Sequence, residues 1–407
     1  MFDRSNIVVG LEVGTSKVCA IVGEVSPGGA LSVIGVGQAR SRGVRKGEIV
    51  DARVASEDIR AAIVEAEQMA DAEIRSVYLG VTGGHLRSFN NRGVHPVASS
   101  DREITPDDLH DVIKNAKAIN LPPQNTVIHT IRQHFHVDGQ GGIVNPVGMC
   151  GSRMEVDVHV IHGIHTRLQN PIRTVKGLQL EVEQIAFNGL ASAMAALNND
   201  QKELGALVLD LGAGTTDYVV YANGIVKHSG ALAVGGDHLS NDLAIGLKVS
   251  LCRAEQLKID HGSAIVEPGV KGRMLTLSSD LGLPEKSVKL EHLHRIMSVR
   301  LEEILQFIDE DLDQAGLLDY LRAGVFICGG GARIPMIDKL AERIFNLPVS
   351  LGRANSISGL KSALDQPEFS TPIGLVKFGS FQQRKRTGGL SLARELKSTI
   401  TQIFRRA

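Results

Sequence analysis

Ile7 to Leu11 is an apolar run that predicts a strand. Glu12-Val13-Gly14-Thr15-Ser16 then reads as a tight turn, and Val18 to Val25 as a second strand. The same design recurs far downstream. Strand Ala206–Leu209 leads into the turn Asp210-Leu211-Gly212-Ala213-Gly214-Thr215-Thr216, and strand Tyr218–Tyr221 follows. Glu12 and Asp210 lie 198 residues apart, each two positions before a glycine. An acid two positions before Gly at a hairpin turn, twice, suggests an internal duplication, at a distance far longer than a solenoid period. Two similar α/β halves facing each other across a cleft are the natural result, and ligands of α/β folds collect in such crevices.

Helical spacing fills the intervals. Asp51–Asp71 carries apolar residues at helical spacing, among them Val54, Ile59, Ile63 and Ala66. Thr105-Pro106-Asp107-Asp108 supplies a hydroxyl cap, a first-turn proline and acids that suit the helix dipole. That helix is expected to run to about Ile119, ahead of Pro122-Pro123. Residues of about 85–165 read as a separate module, with strand-like segments Thr126–Ile131 and Met154–Ile161. Leu290–Leu312 places Leu293, Met297, Leu301, Ile304, Ile308 and Leu312 on one face and leads to strand Gly324–Cys328 and then Gly329-Gly330-Gly331. The folded body is expected to end near Phe381, with Gln382–Gly389 as a charged linker.

Composition narrows the classes. The 407 residues are 43% hydrophobic and 22% charged, which excludes wholesale disorder. The net charge of −1 argues against a protein that coats nucleic acid, and no nucleic-acid partner is expected. Without Trp, and at 4% aromatic, base-stacking platforms are disfavoured. No run of 18 apolar residues occurs, and the N-terminus does not read as a signal peptide. Cys19, Cys150, Cys252 and Cys328 show no C-x-x-C spacing, so reduced thiols are expected. His159, His162 and His165 mimic a metal motif, but strand alternation sends the first two to opposite faces, and ordinary surface histidines are the expectation.

The average charge conceals a division. The last 24 residues hold seven Lys/Arg and one acid, leaving residues 1–381 with a net charge of −7. Within that tail, Leu392, Leu396, Ile400, Ile403 and Phe404 share one side of a helical wheel. Arg394, Arg405 and Arg406 lie outside it, and Lys397 flanks it. An interfacial amphipathic helix for an anionic membrane is the reading, with packing on its own domain or on a partner as the alternative.

The turns carry the candidate chemistry. Glycines in Gly14-Thr15-Ser16-Lys17 and Gly212-Ala213-Gly214-Thr215-Thr216 let backbone N–H groups approach a phosphate, the hydroxyls add donors, and Lys17 adds charge. Glu12 and Asp210 can hold Mg²⁺ through water. Gly235-Gly236 and Gly329-Gly330-Gly331 add two glycine clusters between a strand and a helix. Neither a Walker A pattern nor a G-x-G-x-x-G heading a βαβ unit is present.

The segments GLEVGTSKV, LDLGAGTTDYVVY, GGDHLSNDLAI and VFICGGGARIP resemble the nucleotide-binding segments of the actin–Hsp70–sugar kinase superfamily. Within it, SRGVRKGEIVD, NPVGMCGSRMEVDVHVI, FNGLASA and the basic tail resemble the FtsA family of bacterial cell-division proteins. The resemblance implies an α/β, actin-like (ribonuclease H-like) duplicated two-lobed fold with an inserted subdomain and a C-terminal amphipathic helix. It implies a first-lobe core at 1–84 and 166–196, an inserted subdomain for polymer contacts at 85–165, and a second-lobe core at 197–245 and 324–381. Residues 246–323 would bind the tail of the tubulin-like division protein FtsZ, 382–389 would be a linker, and 390–407 the membrane helix.

The same resemblance implies ATP with Mg²⁺ held by Gly14, Thr15, Ser16, Lys17, Asp210, Gly212, Gly214, Thr215, Thr216, Gly235 and Gly236. Glu255 and Lys258 would meet the ribose and base, and Gly329, Gly330 and Gly331 the adenosine. It implies a peripheral protein on the cytoplasmic face of the inner membrane that polymerises, binds FtsZ and recruits later divisome membrane proteins. Arg300 and Glu303 are the candidate FtsZ contacts, with an intrahelical salt bridge as the other reading. Two positions depart from the superfamily pattern. Glu12 replaces the first-loop Asp. Asn188 stands where ATPases carry the Glu or Gln that orients water, and Asn cannot act as a base. Asp210 and Asn188 are the catalytic candidates, and weak or no ATP turnover is expected. A sugar-kinase-like phosphotransferase has no use for the tail. The chain is too short for an Hsp70-like chaperone. A cell-shape actin homologue is disfavoured by the module at 85–165.

Overall fold

The computed structural model describes residues 6–26, 28–99, 101–277, 286–353, 358–359 and 364–384. The first lobe opens with β1 (Ile7–Val13), β2 (Lys17–Val25) and β3 (Leu31–Arg40), joined as antiparallel neighbours. A small hairpin, β4 (Val44–Arg45) and β5 (Glu48–Ile49), precedes α1 (Ala52–Ala70) and β6 (Ser76–Val81). Helix α1 starts where it does because the Asp51 carboxylate accepts the Val54 N–H at 3.0 Å, and it stops where Asp71 turns left-handed at φ 49°.

The inserted unit comprises β7 (Arg87–Pro96), α2 (Pro106–Lys117), β8 (Asn125–Val137), β9 (Gln140–Ile143) and β10 (Arg153–Ile164). Its strands form an antiparallel sheet in the order β7-β10-β8-β9. Helix α2 carries the expected Thr105 hydroxyl cap, which forms a capping box with Asp108, and ends at Lys117, two residues short of Ile119. The chain then returns through α3 (His165–Lys176), β11 (Glu181–Phe187), α4 (Asn188–Ala196) and α5 (Asn199–Leu204).

The second lobe repeats the first. It contains β12 (Ala206–Leu211), β13 (Thr216–Ala222), β14 (Ile225–Leu232), α6 (Gly236–Leu247), α7 (Leu251–His261), the pair β15 (Met274–Leu277) and β16 (Lys286–Lys289), α8 (Leu290–Gln314), β17 (Gly324–Cys328), α9 (Ile337–Phe345) and β18 (Val349–Leu351). A short β19 (Ser358–Gly359) joins the edge of β3, and α10 spans residues 370–384. The sheets run β11-β6-β1-β2-β3-β19 and β14-β13-β12-β17-β18. In each, three antiparallel strands are followed by two added parallel to the first. The duplication expected from Glu12 and Asp210 is therefore a duplication of topology.

Both sheets are covered on both faces, which explains their near-continuous apolar strands. Ala55, Ile59, Ala62 and Ala66 of α1 bury one face of the first sheet, and Ile373, Leu375, Val376 and Phe378 of α10 bury the other. Helix α4 lies between the lobes, touching α10 through Ala191 and Ala195 and the second sheet through Leu190, Ala193 and Ala196. The outer face of the second sheet meets α6, α7, α8 and α9.

Three expectations change. The sequence assigns 324–381 to the second lobe, yet residues 369–378 pack on the first-lobe sheet. The chain crosses back because α10 has an apolar face and the first sheet has an uncovered one. The linker expected from Gln382 also begins late, since α10 continues through Arg384. Finally, His159 and His162 are buried, not surface, histidines. β10 is an inner strand of the inserted sheet, and β14 packs on that sheet. His159 bonds Asn90 and, on β14, Ser229, each at 2.8 Å. Burial drops its pKa to about 3, so it is a neutral bridge between the units. The tail residues Leu392, Leu396, Lys397, Ile400, Ile403, Phe404, Arg405 and Arg406, expected to form a membrane helix, lie outside the described residues.

Candidate nucleotide site in the interlobe cleft

The β1–β2 and β12–β13 hairpins close with the same backbone bond. Gly14 N–H donates to the Lys17 carbonyl at 3.0 Å, and Gly212 N–H to the Thr215 carbonyl at 2.9 Å. The two turns face one cleft of about 330 Å³, within the size range of ligand pockets. It gathers Gly14, Thr15, Ser16, Lys17, Asp210, Gly212, Gly214, Thr215, Gly236, Glu255, Lys258, Gly329, Gly330 and Gly331, as the sequence expects. The turns meet closely enough that a Cβ on Gly214 would lie 2.4 Å from Thr15 Oγ1. Gly329, at φ 79°, tucks beneath Asp210, where a Cβ would sit 2.4 Å from Oδ1.

Two candidates do not line the cleft. Thr216 is buried and its hydroxyl donates to the Val234 carbonyl at 2.8 Å. It is the first residue of β13, so strand alternation turns it away. Gly235 supports the floor, where a Cβ would press on the Gly212 and Ala213 carbonyls at 2.5 and 2.8 Å. Lys17 is engaged elsewhere as well. Its ammonium donates to the Glu368 carbonyl at 2.5 Å and lies 4.6 Å from the Phe369 ring centroid. Glu255 and Lys258 pair at 2.7 Å on α7, and Lys258 also reaches the Gly236 carbonyl at 3.2 Å.

Three carboxylates converge at the cleft floor. Burial raises Glu12 to about 7, with Lys17 opposing and Asp210 adding to the rise. Burial also raises Asp210, against hydrogen bonds from Ser192 at 2.5 Å and Thr371 at 2.6 Å. Asp217 lies across the hairpin from Asp210 and accepts the Thr82 hydroxyl at 2.6 Å, which ties the lobes together. Burial and then Asp210 push it well above the ordinary carboxylate range. Glu12 Oε2 and Asn188 Oδ1 are buried with no hydrogen-bond partner among the described residues. No group of three or more His, Cys, Asp or Glu among the described residues is arranged to hold a metal ion directly, so a magnesium ion would have to meet Glu12 and Asp210 through its own water shell. A divalent charge there would let all three ionise.

Asn188 is the first residue of α4. Its amide faces the cleft beside Gly80, where a Cβ would lie 2.4 Å from Oδ1. Thr82, Asp217, Asp237, Arg333, Glu368 and Thr371 also line the cleft and escaped the sequence reading. Asp217 had a signal, an acid inside the apolar strand TDYVVYA. The others come from segments with no local mark.

A family model described as "Cell division protein FtsA" matches residues 207–374, and one described as "SHS2 domain inserted in FTSA" matches 83–162. The Cell division protein FtsA of Pseudomonas aeruginosa is 36% identical over 391 residues, covering 96% of this chain and 93% of that one. The chain belongs to the FtsA family of cell-division proteins. The Cell division protein FtsA of Escherichia coli K12 is also 36% identical, over 93% of this chain and 91% of its own. Its role as an FtsA-family member is therefore in cell division. Solved structures agree on the fold. The chain resembles the PilM-PilN type IV pilus biogenesis complex at TM-score 0.66 and 14% identity, over 92% of this chain and 98% of that one. MreB5 of Spiroplasma citri bound to ADP matches at 0.58 and 15%, over 95% and 99%. The FtsA fold is thus actin-like, with an inserted SHS2 domain.

Arg300 and Glu303 lie on α8 of this FtsA chain, as an ion pair, and Arg300 also pairs with Asp242 of α6 at 2.6 Å. They line an open groove of about 320 Å³ with His292, Arg295, Ile296 and Val299. Burial is partial, and Val299 is 60% exposed. No helix among the described residues is long and apolar enough to cross a membrane.

Proposed function

We propose that the chain is an ATP-binding, actin-like anchor that ties the cytokinetic FtsZ ring to the inner membrane. In this reading it polymerises on the cytoplasmic face and recruits later divisome membrane proteins. The observation that carries it is the family match over 96% of the chain. The cleft adds the nucleotide. Turn amides at Gly14, Gly212 and Gly214, the Thr15, Ser16 and Thr215 hydroxyls, and Lys17 suit phosphates, while α7 and Gly329–Gly331 flank the other end. Magnesium, when bound through Glu12 and Asp210, supplies the charge that neutralises the phosphates. Asn188 can hold a water by hydrogen bonds but cannot take its proton, so turnover is slow. MreB5 of Spiroplasma citri, solved with ADP, has the same fold and supports a nucleotide in this cleft.

The groove on α8 offers a cation, an acid and an apolar floor to an extended peptide, which suits the FtsZ C-terminal tail. Residues 385–389 serve as linker beyond α10, and 390–407 as the membrane foot. The experiment is co-sedimentation of the full chain with anionic liposomes and FtsZ. Both proteins should pellet together. Ile400→Glu with Phe404→Glu should abolish pelleting, and Arg300→Glu should release FtsZ while the chain still pellets. Unchanged pelleting of the tail variant overturns the anchor.

A further inference from the structure

The sequence motif SRGVRKGEIVD is not used by the site described above. It forms the β4–β5 hairpin, in which Arg45 pairs with Glu48 and Lys46-Gly47 make the tip. That tip sits on both phosphate turns. Gly47 N–H donates to the Thr15 hydroxyl at 3.0 Å in the first lobe. In the second lobe, the Lys46 backbone lies against Gly214, where a Cβ would be 2.8 Å from Lys46 Cα. The base is fixed. Val44 is buried in the first-lobe core, and Glu48 pairs with Arg167 of α3 at 2.9 Å. Arg42, just before the hairpin, grips Asp58 of α1 at 2.6 Å.

Charge makes this placement informative. Six carboxylates line the cleft (Glu12, Asp210, Asp217, Asp237, Glu255 and Glu368) against three cations (Lys17, Lys258 and Arg333). Lys258 and Arg333 are already paired with carboxylates, Glu255 and Glu368, while Lys17 gives one N–H to the neutral Glu368 carbonyl and keeps its charge. A polyphosphate therefore meets an acidic cleft in which Lys17 is the one lining cation not paired with a carboxylate. Arg45 and Lys46 are exposed beside its mouth, within electrostatic reach of Asp237 and His238 at the start of α6. Among the described residues, neither side chain makes an ion pair or hydrogen bond. Lys46 also holds φ 51° where Gly or Asn would be unstrained, and strain of that kind collects at functional positions.

We propose that Arg45 and Lys46 make this cleft discriminate a nucleoside triphosphate from a diphosphate, by laying positive charge over its phosphate end. The inference rests on the reading that the cleft binds magnesium nucleotide. The tip bridges turns from both lobes, so the charge that reads the terminal phosphate sits where the lobes meet.

The experiment is titration calorimetry of the full chain with Mg-ATP and Mg-ADP. The wild type should bind ATP more tightly. Arg45→Gln with Lys46→Asn should weaken ATP about tenfold, the effect of one lost ion contact, and change ADP by less than twofold. Asn is at ease at positive φ, so the variant should keep or raise its Tm, which separates binding from unfolding. Lys46→Arg should retain the preference. In the wild type the preference should shrink as KCl rises, and in the double variant it should not. Equal losses for both nucleotides, or no loss, overturn the proposal. A wild type that binds neither nucleotide overturns the cleft reading itself, and this assignment with it.

Discussion

Glu12 shows how a single side chain reports on the site. Its carboxyl sits near 7 because burial and Asp210 outweigh Lys17. A raised acid costs the fold nothing below its ordinary pKa of 4.5, where both states are protonated. The cost grows from there to about 7, as the unfolded chain ionises first, and persists above. Glu12→Gln should therefore stabilise the nucleotide-free protein at pH 8 by up to about 3 kcal/mol, and the gain should vanish at pH 4. Denaturant titrations at the two values check this, and a gain that is larger at pH 4 refutes it. Asn188 is constrained on its other side by Gly80. Gly80→Ala should push the amide out of place and lower nucleotide affinity, whereas an unaltered affinity would show that the amide does not meet the ligand. Glu12 and Asp210 were visible in the sequence because each precedes a glycine turn, and Asn188 because FNGLASA resembles a segment of the superfamily. Thr371 and Ser192 were not, because a hydroxyl that bonds Asp210 from elsewhere in the chain leaves no local mark.

At the scale of elements, local chemistry set most boundaries. The Asp51 cap and Asp71 stop of α1 and the Thr105–Asp108 box of α2 lie where the sequence puts them. Asp51→Ala should remove the Val54 hydrogen bond and cost about 1 kcal/mol, seen as a fall in Tm. β10 is where local reading failed. Its histidines look like surface groups in a half-polar strand, but β14 closes over the inserted sheet. Gln133, on β8, donates to the Val226 carbonyl of β14 at 2.8 Å. Gln133→Leu should strand that buried carbonyl and destabilise the protein by about 1–3 kcal/mol, and a neutral result would mean the seam is not under such constraint.

For the whole molecule, the cleft exists only while both lobes face each other. Thr82 reaches Asp217, Lys17 reaches Glu368, and α4 packs between the sheets. A ligand that binds this closed arrangement and not the unfolded chain raises Tm by mass action, about 2.7 kcal/mol at one hundred times Kd. Mg-ATP should produce such a shift, and chelation of the metal with EDTA should remove most of it, because the three acids then repel one another and the phosphates. A shift that survives chelation would separate nucleotide binding from the acids.

The sequence alone determined the duplicated hairpins, the glycine turns, the capped helices and the split between an acidic body and a basic tail. These are short-range features: a turn, a cap or an amphipathic face is written in a few neighbouring residues. Tertiary structure decided the rest. It carried α10 back to the first lobe, buried His159 under β14, turned Thr216 away from the cleft, brought Asp217 to Asp210, and laid Lys46 over Gly214. Each of these depends on which surfaces remain uncovered once the sheets have formed, and burial acts on surfaces without regard to distance along the chain.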